Sequence, residues 1–109
     1  MVFNEKATTG LAPGNSRVIT TAPSKLMRLS GSNTHSADIW VQLFDLAAVP
    51  ANGTAPIHEQ VAFAGLPYDI DFGIIGKPFA NGIVAVASST AQALTISVAG
   101  KTTFNATCY

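Results

Sequence analysis

Tyr68-Asp69-Ile70-Asp71-Phe72-Gly73-Ile74 is the stretch whose reading decides the fold. Tyr68, Ile70, Phe72 and Ile74 alternate with two acids and a glycine. That period of two places the aromatic and aliphatic groups on one face of a strand, with Asp69 and Asp71 on the solvent face. Leu94-Thr-Ile-Ser-Val98 and Thr102-Thr-Phe-Asn-Ala-Thr-Cys108 alternate in the same way. Ala99-Gly-Lys101 between them reads as a tight connection, which predicts a C-terminal hairpin. Nine Gly and six Pro divide the rest of the chain into apolar pieces of strand length and leave little room for long helices.

The further strands expected are 17–20, 25–30, 39–46, 59–64 and 83–87, each bounded by Gly, Pro, Asn or Ser. In 39–46, Ile39, Trp40, Leu43, Phe44 and Ala47 would also fit a helical stripe. The β propensity of Ile39, Trp40, Val41 and Phe44 decides for a strand, with a short turn of helix expected after it over 46–49. The sum is roughly seven or eight strands, which favours two packed antiparallel sheets or a small barrel, with a jelly roll as the natural eight-strand case. The fold class expected is therefore all-β, an antiparallel β-sandwich of jelly-roll type.

At 109 residues the chain suits one domain with one core. Residues 16–109 are assigned to the sandwich. Residues 1–15 mix Thr, Gly, Ala, Pro and Asn with isolated apolar side chains and read as an extended N-terminal arm. Such an arm either frays or orders against another chain; in the second case Val2, Phe3, Leu11 and Pro13 are the expected interface residues.

Charged residues make up 11% of the chain against a usual figure of about 25%, while 48% are hydrophobic and the net charge is zero. That balance argues against disorder and for lasting contacts with other protein copies. Six Lys plus Arg, offset by six Asp plus Glu and nowhere clustered, give no basic stripe for nucleic acid. A single cysteine excludes an internal disulfide. The first residues hold no signal-like apolar run, and no stretch approaches the roughly 20 apolar residues of a membrane span. The expectation is a soluble protein made in the cytoplasm, with neither nucleic acid nor membrane as partner.

His58-Glu59 begins like a zincin helix, but the second histidine would have to stand at position 62, which is Ala62. His35 lies in a polar connection and reads as a loop residue. Asp69, Asp71 and Gly73 echo a calcium loop, yet Ile70 and Phe72 demand a strand, and two acids on an edge strand blunt unwanted pairing. A paired-carboxylate site would need a second acid across a cleft, for which Asp45 or Glu59 are candidates with nothing to fix their geometry. No serine sits in a nucleophile elbow. Gly73-Ile-Ile-Gly76-Lys77 lacks the spacing of a phosphate loop and is followed by Pro78. Cys108 continues the alternation of Phe104 and Ala106 and reads as a buried apolar group. Asn52 and Asn105 fall in chance glycosylation sequons, and Asn52-Gly53 is better explained as a turn. Trp40 reads as core, with sugar stacking as its alternative. No catalytic residue, metal ligand or cofactor is expected, and the chain is read as a non-enzyme.

Lys25-Leu-Met-Arg-Leu-Ser-Gly-Ser-Asn33, Ile39-Trp-Val-Gln-Leu-Phe-Asp45, Pro50-Ala-Asn-Gly53 with Pro56, and Lys77-Pro-Phe-Ala-Asn-Gly-Ile-Val84 form a series. It resembles small phage and prophage virion proteins over about residues 17–90. The shared positions are turn glycines, strand apolars and the Asp that closes a strand. The resemblance implies a β-sandwich used as a capsid cement or decoration protein, located in the virion and bound to the major capsid protein or to copies of itself as a homo-oligomer. It implies no catalytic residue. Two alternatives stand beside it: a tail, baseplate or fibre component, and a carbohydrate-binding module in which Trp40, Tyr68 or Tyr109 stacks on sugar.

Overall fold

The computed structural model describes residues 6–9 and 14–109. Nine strands form among them: β1 (Lys6–Thr9), β2 (Ser16–Thr20), β3 (Ser24–Ser32), β4 (Ile39–Phe44), β5 (His58–Ala62), β6 (Pro67–Asp71), β7 (Lys77–Phe79), β8 (Ile83–Ser88) and β9 (Asn105–Cys108). The described residues contain no helix. One sheet has the order β1-β9-β3-β6, with β7 also on β3, and the other has the order β2-β8-β4-β5. All pairings are antiparallel. The chain passes repeatedly from one sheet to the other, and this order is that of a jelly roll, two Greek keys wrapped into a sandwich. Strands β6 and β7 lie end to end along β3, so together they fill a single place in that plan.

The sandwich interior takes its rings from the first sheet and its flank, with Tyr68, Phe79 and Phe104 beside Leu26, Leu29 and Ile70. The second sheet supplies Ile39, Val41, Leu43 and Ile83 together with the smaller Ala62, Ala85 and Ala87. Rings from one side meet aliphatic and small groups from the other in one buried cluster. Cys108 lies in this core, as its alternation predicts. Tyr68 lies there too, with its hydroxyl donating to the Thr103 carbonyl at 2.6 Å. Burial pushes its pKa above the usual phenol range.

A second, smaller core lies on the outside of the second sheet. Phe44, Val84 and Val86 point outward from β4 and β8 and are covered by Leu94, with Ile96 beside it. Every residue of β8 is therefore buried. The covering segment is tied down by Ser97 N to Ala87 O at 2.8 Å, Leu94 N to Thr54 O at 2.9 Å and Ile96 N to Asn52 Oδ1 at 2.9 Å.

Four expectations are corrected. The residues 94–98 do not pair with 102–108 in a hairpin: the first segment covers the second sheet, while β9 pairs with β1 and β3 in the other sheet. Outward-facing Phe44, Val84 and Val86 draw Leu94 away, and this two-sided burial is what local alternation cannot reveal. Strand β6 stops at Asp71, whose Oδ1 accepts from Gly73 N at 2.8 Å in a local turn, so Ile74 is exposed instead of core. Residues 46–48 form bends and Val49 follows without regular structure, so there is no helix there. Within the segment expected as an arm, Lys6–Thr9 is an edge strand on β9, and Gly14 and Thr102 exchange backbone hydrogen bonds. Val2, Phe3, Leu11 and Pro13 lie outside the described residues.

Gly31 on β3 faces a tight crossing. A methyl group there would stand 2.0 Å from the Thr103 carbonyl oxygen, where Thr103 N also donates to Ser32 O and its Oγ1 accepts from Ser32 N. Gly31→Ala is expected to cost about 3 kcal/mol or more, because backbone and not a flexible side chain must give way. Denaturant unfolding checks this, and a variant of wild-type stability would refute the crossing.

Candidate interaction surfaces

The strand order brings three connections to one end of the sandwich: 33–38, 63–66 and 97–103. Buried Asn33 organises them. Its Nδ2 donates to Ala37 O at 2.9 Å and Ala62 O at 3.0 Å, and its Oδ1 accepts from His35 N at 3.0 Å. Backbone bonds from Asn33 N to Leu66 O and from Thr34 N to Lys101 O join the neighbouring connections. Asp38 Oδ1 accepts from Ala64 N at 2.8 Å, and Leu66 N closes the turn onto Phe63 O at 3.1 Å. The result is a polar framework inside with apolar side chains outside: Phe63 is 54% exposed, Leu66 52% and Val98 100%. Thr9 pairs with Asn105, and Gly14 with Thr102, so the described residues on either side of 10–13 also reach this end.

A second exposed apolar feature lies between β6 and β7, where 72–76 leaves the sheet edge. Phe72 turns inward and meets His58 of β5 edge-to-face, with ring centres 5.0 Å apart. Gln60 Nε2 donates to Asp69 O across the same gap at 2.9 Å. These contacts close the sandwich along one side and leave Ile74 and Ile75 pointing outward.

The titratable groups serve the framework. Asp45 accepts from Ala80 N and Asn81 N, which holds its pKa below the ordinary carboxylate range. Asp69 and Arg28 form a two-pronged pair at 2.8 Å on the exposed sheet face, which lowers the acid and raises the base. Glu59 accepts from Gln42 Nε2 at 3.0 Å and from Gln92 N at 2.9 Å, and so fixes Gln92 with its left-handed backbone, φ 68°. Asp71 caps its own turn. All five carboxylates among the described residues thus have structural hydrogen bonds. Asp45 and Glu59 serve separate loops and do not converge. Among the described residues, no group of three or more His, Cys, Asp and Glu side chains is placed to hold a metal ion.

His35 is a loop residue whose Nδ1 accepts from Ala37 N at 3.1 Å. Trp40 faces outward from β4 and is half-buried, and so stands outside the main core in which its large apolar area placed it by expectation. Tyr68 is removed as a sugar platform by its burial, whereas Tyr109 is half-buried beside Lys25. Asp69 and Asp71 are exposed on edge strand β6, as the alternation predicts.

Leu66 and Ile75 went unread in the sequence, and Phe63, Ile74 and Val98 were read as strand residues, whereas all five are exposed. The available signal is a bulky apolar residue or pair set against a turn glycine, as in Phe63-Ala-Gly65-Leu66 and Gly73-Ile-Ile-Gly76. Gly65, Gly73 and Gly76 all have positive φ, so the adjacent apolar groups sit on turns and not in strands.

Comparison with family models, curated proteins and solved structures finds no match.

His58 gives this region a pH dependence. Burial first, and Lys77 second, lower its pKa below 6.5, while Glu59 opposes them. The unfolded chain then takes up the proton more readily than the folded one. Stability is full above the unfolded value and falls as pH drops through the folded value. Thermal unfolding from pH 7.5 to 5 is expected to show this loss, with a shallower slope in His58→Gln. Equal slopes in the two proteins would contradict it.

Proposed function

We propose that this protein is a structural virion component, a capsid cement or decoration protein that binds the major capsid protein through the end carrying Phe63, Leu66 and Val98. The observation that carries the reading is the make-up of this end. Large apolar groups stand outside a hydrogen-bonded framework, on a protein whose surface has few charges to oppose association. Aromatic and aliphatic anchors held by a rigid support are what a protein partner's pockets take up at low entropic cost. The jelly roll also serves capsid and lectin domains, which supports the reading by analogy of fold alone.

A cement protein needs only modest affinity per copy. A symmetric lattice presents its site many times, and a protein that touches two neighbouring subunits gains from effective concentration. Binding then opposes separation of those subunits without any chemical step. The same surface would serve a tail, baseplate or fibre component, and half-buried Trp40 on the outward face supports a glycan-binding reading.

The test is to mix the purified protein with phage heads that lack it and sediment them. Cementing predicts that it pellets at fixed stoichiometry and raises the temperature at which heads open. Phe63→Asp with Leu66→Asp should weaken binding about tenfold or more, since truncated anchors cost more than 1 kcal/mol each. Protein left in the supernatant, or found only with tails, contradicts the head reading. Retention on immobilised glycan, lost in Trp40→Ala, would replace it with the carbohydrate one.

A further inference from the structure

Ala51-Asn52-Gly53 and Ala80-Asn81-Gly82 place the same tripeptide at two points of the chain. Asn-Gly is the dipeptide most open to one spontaneous reaction, attack of the following backbone nitrogen on the asparagine side-chain carbonyl. Glycine has no Cβ to shield that nitrogen or to restrict its approach. The two copies stand in different surroundings. Asn52 and Gly53 are both exposed, and nothing lies within 4 Å of where a Cβ on Gly53 would stand. Gly82 is buried, and a Cβ there would meet Leu46 O at 2.5 Å and Thr20 O at 2.7 Å. Just before it, the Asp45 carboxylate accepts from Ala80 N and Asn81 N. Water and base reach the first site, while the carboxylate beside the second opposes loss of an amide proton.

The reacting atoms of Asn52-Gly53 are both held by one segment. Gly53 N donates to Leu94 O at 2.7 Å, and Ile96 N donates to Asn52 Oδ1 at 2.9 Å. Leu94 N donates to Thr54 O at 2.9 Å between them. While these bonds last, the attacking nitrogen keeps its proton on a carbonyl, and the side-chain carbonyl is pinned to a different amide. The same segment lays Leu94 and Ile96 over Phe44, Val84 and Val86. Release of the Asn-Gly pair and lifting of the outer cover are therefore one event.

We infer that Asn52-Gly53 is a self-modification site gated by the 94–96 cover, converted by water to aspartate and isoaspartate when the cover lifts. In the open state Gly53 N loses its proton to hydroxide and bonds to Asn52 Cγ. The Cγ–Nδ2 bond breaks, and the nitrogen takes a proton from water and leaves as ammonia. Water then adds to one of the two carbonyls of the cyclic imide and breaks its bond to nitrogen. The sum is asparagine plus water giving an acid plus ammonia. When the ring opens at the backbone carbonyl the product is isoaspartate, whose main chain runs through Cβ and Cγ. That longer path puts 52–54 out of step with 94–96, so the cover no longer latches and the change is one-way. The conversion rate is the open fraction multiplied by the rate of an unfolded Asn-Gly. The inference rests on the fold alone and is independent of head binding.

Incubation of the full chain in mildly alkaline buffer, followed by peptide mapping that distinguishes isoaspartate from aspartate, tests this. In denaturant the two tripeptides should convert at similar rates. In the folded protein Asn52 is expected to convert about tenfold or more slowly than in denaturant, and Asn81 more slowly still. Leu94→Ala, which loosens the cover, should speed Asn52 about tenfold or more and leave Asn81 unchanged. If that variant fails to fold, amide exchange of the wild-type protein decides: Gly53 N–H should be slowed by the same factor as Asn52 conversion. Purified isoaspartate-52 protein should exchange the Leu94 and Ser97 amides faster than the parent. Four results overturn the inference: native Asn52 converting at the denatured rate, Asn81 converting first, Leu94→Ala speeding both sites equally, or protection of Gly53 N–H unrelated to that of Asn52. Unchanged exchange at Leu94 and Ser97 in the converted protein overturns the one-way step.

Discussion

The structure depends on the burial of β8 from both sides. This strand sits between β2 and β4 in the second sheet. Ile83, Ala85 and Ala87 face the sandwich core, while Val84 and Val86 face outward beneath Leu94. A strand with two apolar faces needs two covers. The first sheet is one, and the segment leading from β8 to β9 is the other. Once that segment is drawn over the outer face, it crosses to the first sheet at the end where β8 finishes, reaches Thr103 against Gly31 and delivers β9 between β1 and β3. The connectivity of the jelly roll and the placing of the loop end follow from this one requirement.

The same requirement explains which parts of the fold were legible in the sequence. Strands with one wet face, such as β6, show a clear alternation up to the turn at Asp71, and Asp69 and Asp71 read correctly as edge acids. The burial of Cys108 follows from its period with Phe104 and Ala106. Residues 94–98 alternate too, but for a different reason: Leu94 and Ile96 cover a second sheet while Thr95 and Val98 face away. Period two states that one side is apolar; it does not state which surface receives that side. The hairpin reading failed there because the partner was chosen by nearness in sequence. Strand β7 escaped notice because Lys77-Pro78-Phe79 has only three residues, with a proline tolerable at a sheet edge.

The surface follows a related logic. Carboxylates hold connections at the surface: Asp38, Asp45 and Glu59 each accept from backbone N–H groups of another segment. Apolar side chains stand on the turns those ties support. Phe63 and Leu66 are adjacent to the Asp38 tie, and Ile74 and Ile75 follow the turn capped by Asp71. Rigid backbone beneath exposed apolar groups is costly for solubility and useful for recognition. The proposed attachment of this protein to a larger assembly draws on that combination.

Hydrogen exchange of the protein, free and mounted on phage heads, tests the proposed attachment most directly. The account predicts new protection confined to 63–66 and 97–101, with β8 slow in both states because its two covers are internal to the fold. Absence of new protection at that end, or protection appearing instead on the outer face of the first sheet, would contradict it.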